Sequence, residues 1–230
     1  MGYLSGTSAG LLHVVATPIG NLEDITLRAL RVLRECDAVV AEDTRRTRQL
    51  LTAHGIARPL LSLPAHDEAR RVPALVARLV AGDTLALCTD AGTPVVSDPG
   101  AFLVQAAREA GVTVVPVPGP SALTAALAGS GLRGDRVCFL GFLPRSPGKL
   151  RRTVESGLLS DSTVAFYESP LRLARTLALI APSCGERPVV VARELTKVHE
   201  TFHTGTAAAL AEAFAAQPPR GECTVLIGAS

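Results

Sequence analysis

The chain has 230 residues, of which 47% are hydrophobic and 19% charged, with a formal net charge of +2. That is enough apolar material for one large or two small domains and excludes a disordered chain. So small a charge does not by itself point to nucleic acid, and 3% aromatics without Trp argue against base recognition by stacking and leave the core to Leu, Val and Ala.

Residues 1–10, MGYLSGTSAG, lack the charged start and long apolar run of a signal peptide and read as a disordered or vector-derived leader. An apolar run at 11–16 predicts a buried strand, ended by turn chemistry at Thr17-Pro18-Ile19-Gly20-Asn21. Helical spacing follows at 26–36, a short strand at 37–41, and a helix over 44–54 stopped by Gly55, with Glu42-Asp43-Thr44-Arg45-Arg46 at the junction. After a brief strand at 60–63 and a polar stretch at 64–68, Val72, Leu75, Val76 and Leu79 mark a helix, in which Pro73 lies near the first turn or kinks it. The strand 84–88 runs into CTDAGTPVVSDPG at 88–100, a loop whose prolines and glycines make it costly to order unless it serves a purpose. A helix over 100–110, a strand at 112–115 and a second proline-glycine turn, PVPGPS at 116–121, complete a regular strand-helix alternation, so the first part is mainly a parallel sheet.

A glycine-rich link at 129–134 precedes a change of texture. Strands are expected at 137–142, 163–167, 188–194, 199–204 and 223–228, helices at 171–180 and 205–216, and a basic loop at 144–149. The expectation is therefore an α/β protein of two α/β domains, 11–130 with a mainly parallel sheet and 131–230 with a mixed sheet, able to cradle a ligand between them. No apolar stretch is long enough to span a bilayer. The five cysteines, Cys36, Cys88, Cys138, Cys184 and Cys223, are odd in number and form no CxxC, which disfavours a disulfide framework or a zinc site and fits a reducing, cytoplasmic compartment.

Common signatures are missing: there is no GxxxxGK[ST], no GxGxxG between strand and helix, no nucleophile elbow and no HExxH. A conventional nucleotidase, dehydrogenase or metalloenzyme is disfavoured. What remains is a set of polar constellations at expected strand ends: Glu42, Asp43 and Arg45; His66, Asp67 and Glu68; Glu168; and Arg193, Glu194, Lys197, His199 and Glu200. Singly, each has an ordinary reading as a helix-end charge, an ion pair or a turn. Basic clusters at Arg45, Arg46 and Arg48, at Arg70 and Arg71, and at Arg145, Lys149, Arg151 and Arg152 are solvated faces taken singly and a polyanion surface taken together.

TPIGNLED at 17–24, AEDTR at 41–45, DAGTPVVSDPG at 90–100, VPVPGPSA at 115–122, GFLPR at 141–145, FYESP at 166–170 and ARELTKVHE at 192–200 resemble the ribosomal RNA small subunit methyltransferase I family, a branch of the tetrapyrrole methylase superfamily. The resemblance implies two α/β domains with S-adenosylmethionine in the cleft between them, a homodimer, and 2′-O-ribose methylation of a cytidine in the decoding region of 16S ribosomal RNA, free or in the assembled small subunit. By motif position it implies cofactor contacts at Pro18, Thr93, Val96, Ser121, Ala122, Glu168 and Leu195. The chain departs from the family pattern at 62–68, where His66 and Glu68 are kept, and at Leu171, where the family has His.

Moving a methyl group to a ribose hydroxyl calls for in-line positioning and for a group that takes the hydroxyl proton or lowers its pKa. The candidate bases are Glu42, Asp43, His66, Glu194 and His199, and Lys197, Arg45 and Arg193 are candidates for stabilising an alkoxide or holding phosphate. The preferred catalytic set is Glu42, Asp43 and Arg45 facing Arg193, Glu194 and Lys197 across the cleft, without a metal. Asp90 and Asp98 read as brackets that hold the shape of their loop. Two other functions stay open: a tetrapyrrole C-methyltransferase, and a non-enzymatic module binding nucleotide or RNA.

Overall fold

Near-continuous apolar runs, such as AVVA at 38–41 and LALC at 85–88, are buried at successive positions and so build a parallel sheet covered on both faces in the first part of the chain. β1 (Leu11–Val15), β2 (Ala38–Ala41), β3 (Leu60–Ser62), β4 (Thr84–Cys88) and β5 (Thr113–Val117) lie in the order β3-β2-β4-β1-β5, each neighbour parallel. The computed structural model describes residues 10–229, and the chain divides into two units between Ser121 and Ala122.

Between the strands of the first unit run α1 (Leu27–Glu35), α2 (Thr44–Ala53), α3 (Glu68–Val80) and α4 (Ala101–Glu109). Leu12, Ala38, Val40, Leu85 and Leu87 pack on Val72, Leu75 and Leu79 of α3 and on Leu103 and Ala107 of α4. Val15, Val39, Ala86 and Cys88 point the other way, onto Ala29, Val32 and Leu33 of α1 and Leu51 of α2. Each large side chain buried this way contributes roughly 1.5–3 kcal/mol. The two-faced packing also sets the topology. β1 and β2 hand the chain to helices on one face, whereas β4, between them, hands it to the other. The loops beyond these strands diverge there, which is where open α/β sheets take their ligands.

The second unit opens with α5 (Ala122–Ser130), followed by β6 (Val137–Phe142), α6 (Pro147–Leu158), β7 (Thr163–Glu168), α7 (Pro170–Cys184), β8 (Val189–Arg193), β9 (Thr201–Gly205), α8 (Ala207–Ala216) and β10 (Cys223–Ile227). Its sheet is mixed, in the order β6-β7-β10-β8-β9, with β6 and β7 parallel and the other pairs antiparallel. Val164, Phe166, Val189, Val191, Val225 and Ile227 meet α6, α7 and α8 through Val154, Leu173, Leu177, Ile180 and Phe214. The register puts Cys223 opposite both Glu168 and Arg193, so the ends of β7 and β8 share one edge of the sheet.

Four details differ from the sequence expectation. β5 continues to Val117 through Pro116, which the edge of a sheet tolerates because a missing N–H costs no ladder bond on the outer side. Residues 147–158 form α6, not the tail of a loop: Pro147 sits at the first turn, and Leu150, Val154 and Leu158, four apart, make its buried face. α5 falls with the second unit, so the division precedes it, while the glycine-rich link at 129–134 follows it. Of the expected leader, residues 1–9 lie outside the described residues, and Gly10 is buried, its N–H donating to the Leu79 carbonyl at 2.9 Å. Among the described residues no helix is long and apolar enough to cross a membrane.

Candidate functional site

In the first unit three loops are stitched together beyond the strand ends. Thr17 and Gly92 exchange backbone hydrogen bonds, Thr17 N–H to the Gly92 carbonyl at 2.8 Å and Gly92 N–H to the Thr17 carbonyl at 3.0 Å. The buried Thr17 hydroxyl donates to the Thr89 carbonyl at 3.1 Å, and the Thr93 hydroxyl donates to the Pro120 carbonyl at 3.2 Å. The segments carrying Pro18, Thr93, Val96 and Ser121 therefore converge on one end of the sheet. Val95 and Ser97 hold φ of 76° and 67°. For a β-branched residue that is a sparsely populated conformation, costing about 1–3 kcal/mol and tolerated where the surroundings over-determine it.

The far end of the same loop is held by Glu68. Its buried carboxylate accepts from Gly100 N–H at 2.9 Å and Phe102 N–H at 3.0 Å, so the start of α3 caps the start of α4. Gly100 has φ of 123°, and a Cβ there would stand 2.6 Å from the Leu87 side chain. Sequence reasoning named Glu68 as one of a polar group. Its partnership with residues more than thirty positions away had no local signal.

β2 delivers Glu42 and Asp43 beside that loop, into opposite environments. Asp43 caps α2, accepting from Arg45 N–H at 2.8 Å, and its carboxylate takes the Arg45 guanidinium at 3.1 and 2.8 Å. These bonds hold it well below the usual carboxylate range, at about 2. Glu42 is pushed up instead, first by burial and then by the charges of Asp90 and Asp98. Burial raises Asp98 too. Asp90 accepts from Asp43 N–H at 3.1 Å and pairs with Arg46 at 3.6 Å, fastening the 89–100 loop to α2. Arg45 and Arg48, with Thr44, Gln49 and Thr52, line an open concavity of about 800 Å³ along α2. His66 is exposed in a 3-10 turn, and its neighbour Asp67 is taken up by Arg70 and Arg71.

In the second unit the edge shared by β7 and β8 carries the other predicted residues. The Glu168 carboxylate is buried and committed: it accepts from Ser169 N–H at 2.8 Å and the Thr176 hydroxyl at 2.6 Å, and pairs with Arg172 at 3.3 Å. Past β8 the chain turns sharply, with Glu194 at φ 53°, Leu195 buried and Thr196 at φ 64°. Arg193 holds this turn by donating to the Thr201 hydroxyl and to the carbonyls of Arg220 and His199, at 3.0–3.1 Å. Glu194 accepts from Lys197 at 2.8 Å and from Glu222 N–H at 2.9 Å, and Lys197 also reaches Glu222 at 2.9 Å. Gly221, at φ 89°, lies so close that a Cβ would fall on the Glu194 carboxyl. The Lys197 hydrogen bond lowers the Glu194 pKa. Burial disfavours the Lys197 charge, but its two carboxylate partners outweigh that and raise its pKa, so the amine stays protonated. Glu222 had escaped notice, since nothing around it in sequence resembles a site.

The model of the family described as Tetrapyrrole (Corrin/Porphyrin) Methylases matches residues 11–211. A protein of Xylella fastidiosa, "Ribosomal RNA small subunit methyltransferase I", is 51% identical over 205 residues, 89% of this chain and 75% of the relative. Its namesake in Thermotoga maritima is 45% identical over 218 residues, 95% of this chain and 98% of the relative. The chain belongs to the ribosomal RNA small subunit methyltransferase I family. Within that family's wider fold, diphthine synthase superposes with a TM-score of 0.75 at 16% identity, covering 95% of this chain and 90% of that one. A uroporphyrin-III C-methyl transferase from Thermus thermophilus, complexed with S-adenyl homocysteine, superposes with a TM-score of 0.68 at 18% identity, covering 95% of this chain and 97% of that one. Both share the fold. The methyltransferase assignment comes from the more similar relatives.

Proposed function

We propose that this chain methylates the ribose 2′-oxygen of a cytidine in the decoding region of small-subunit ribosomal RNA, using S-adenosylmethionine. The observation that carries the chemistry is the opposed pair at the end of β2: Glu42 with its pKa raised, Asp43 with its pKa lowered. Neighbouring carboxylates driven apart in this way take different tasks. Glu42, the stronger base, takes the proton of the 2′-hydroxyl, and Asp43 holds α2 and Arg45 in place.

The residues present suit the cofactor. The stitched loops offer uncharged backbone groups, and the mutual repulsion of Glu42, Asp90 and Asp98 marks an electronegative setting that favours a sulfonium. Pro18, Thr93, Val96, Ser121 and Ala122 would hold it, with Leu195 and the main chain at Glu168, whose carboxylate is already committed. Bound S-adenosylmethionine supplies an electrophilic methyl group. Lys197, kept charged between Glu194 and Glu222, stabilises the alkoxide as the proton leaves. Arg193 acts through the turn it holds. Arg45 and Arg48 on their open concavity suit phosphates.

A homodimer in the cytoplasm belongs to the same reading. On α5 only Ala126 is fully buried, and the half-buried Leu123 and Leu127 keep some apolar surface that suits a subunit contact.

The test offers labelled S-adenosylmethionine with either small ribosomal subunits or a porphyrinogen. Label enters ribose in the RNA and not the macrocycle, and Glu42→Gln lowers transfer about 10²- to 10⁴-fold with a far smaller loss of cofactor affinity, since Asp90 and Asp98 remain. Parent rates in both Glu42→Gln and Lys197→Ala would remove the catalytic assignment.

A further inference from the structure

The chain has six Phe and two Tyr, and three of these rings gather at one place on the second unit. Tyr167 on β7 meets Phe139 edge-on at 5.0 Å and Phe142 edge-on at 5.4 Å. Phe139 and Phe142 are three apart on β6, so a regular strand would send them to opposite faces. A bulge between them prevents this: Phe139 pairs with Ala165 and Phe142 with Tyr167, three residues against two, with Gly141 at φ 62°. Such a bulge re-aims the side chain that follows it. Its effect here is to bring Phe142, 66% exposed, onto the same face as Tyr167.

The loop beyond Phe142 is fixed. Leu143 is buried, and Arg172 donates to the carbonyls of Leu143 and Pro144 at 3.3 and 3.1 Å. Exposed cations follow. Arg145 is on the loop, and Lys149 and Arg152, three apart, share the outer side of α6 opposite Leu150 and Val154. Arg151 pairs with Glu155, whereas Arg145, Lys149 and Arg152 have no acidic partner among the described residues. A chain so poor in aromatics thus spends a glycine bulge to present one ring to solvent beside three unpaired cations.

We propose that Phe142, backed by Tyr167 and Phe139, is a stacking platform for an unpaired base of the ribosomal RNA substrate, and that Arg145, Lys149 and Arg152 hold the adjoining phosphates. Every base has a face to stack, and single-stranded RNA is read by splaying bases onto such rings between phosphate-binding cations. A second copy of the chain suits the patch less well. A symmetric contact would bring the same three cations against each other, a like-charge repulsion that a polyanion turns into attraction. The inference rests on the reading of the chain as a ribosomal RNA methyltransferase.

The test measures binding of small ribosomal subunits and of a fluorescent single-stranded RNA by the parent, Phe142→Ala, Phe142→Tyr and the triple variant Arg145→Ala, Lys149→Ala, Arg152→Ala. Sedimentation and cofactor titration run alongside. Phe142→Ala is expected to weaken RNA binding about five- to hundredfold, with Phe142→Tyr restoring it. The triple variant is expected to flatten the slope of log affinity against log salt by about 2. Cofactor affinity and oligomeric state stay at parental values. Unchanged RNA affinity in Phe142→Ala overturns the platform alone. Dissociation of an oligomer by Phe142→Ala assigns the patch to a second copy and also overturns it. A parent that binds neither RNA overturns the reading on which the platform stands.

Discussion

Replacing Glu68 by Ala tests whether the 89–100 loop is held from outside itself. The carboxylate is buried and accepts two backbone N–H groups, from Gly100 and Phe102. Hydrogen bonds to a charged group are worth about 1.5–3 kcal/mol each, and a buried donor left unpaired costs about 1–3 kcal/mol. The carboxylate also faces the positive end of α4, an interaction worth about 0.3–1 kcal/mol. These contributions overlap, and a loss of about 3–5 kcal/mol on urea unfolding is expected. Glu68→Gln keeps an acceptor oxygen and loses the charge, so about 1–2 kcal/mol is expected. Titrating S-adenosylmethionine into both variants reads the second consequence: with the Gly100 end released, the strained segment at Val95 and Ser97 relaxes and affinity falls in the same order as stability. A Glu68→Ala protein within about 1 kcal/mol of the parent, with unchanged cofactor affinity, would refute the anchoring role.

The charge of Asp90 helps to raise Glu42, so Asp90→Asn, which keeps the acceptor for Asp43 N–H, should move the acidic limb of the kcat profile to lower pH, and an unmoved limb would separate Glu42 from the proton transfer. Because the folded pKa of Glu42 is raised, its ionisation costs stability that is lost as pH rises through that value. Thermal melts of Glu42→Gln should therefore exceed the parent's at pH 8 and match them in acid, where both are neutral. Gly221→Ala places a methyl on the Glu194 carboxyl at a positive φ and should cost about 1–3 kcal/mol with a matching loss of turnover, whereas a parental rate would free the turn from the mechanism. Arg172→Ala leaves the buried Glu168 charge with two neutral donors, and a loss of about 2–4 kcal/mol is expected on chemical unfolding.

The loops were legible in the sequence because their composition is unusual. Proline and glycine at 88–100 and 116–121 declare themselves against apolar strands, and the end of a parallel strand is where a ligand loop belongs. The partners of those loops were not legible. Glu68 is separated from Gly100 by a helix and a strand, Glu222 from Lys197 by a strand and a helix, and neither pairing leaves a local pattern. α6 escaped because Lys149, Arg151 and Arg152 read as a solvated loop and hid the spacing of Leu150, Val154 and Leu158. The motif made Glu168 legible as a polar residue, but not that its carboxylate is taken up by Ser169, Thr176 and Arg172 at the start of α7. The scarcity of aromatics argued against stacking, yet a bulge at Gly141 concentrates three rings where an average over the chain could not reveal them.

The central claim is ribose methylation in small-subunit ribosomal RNA. Its most direct test maps 2′-O-methyl groups along that RNA in cells with and without this protein, with Glu42→Gln as the complementing control. One cytidine in the decoding region should lose its methyl group without the protein, regain it with the parent and fail to regain it with Glu42→Gln. A map that is the same in all of these cells would contradict the claim.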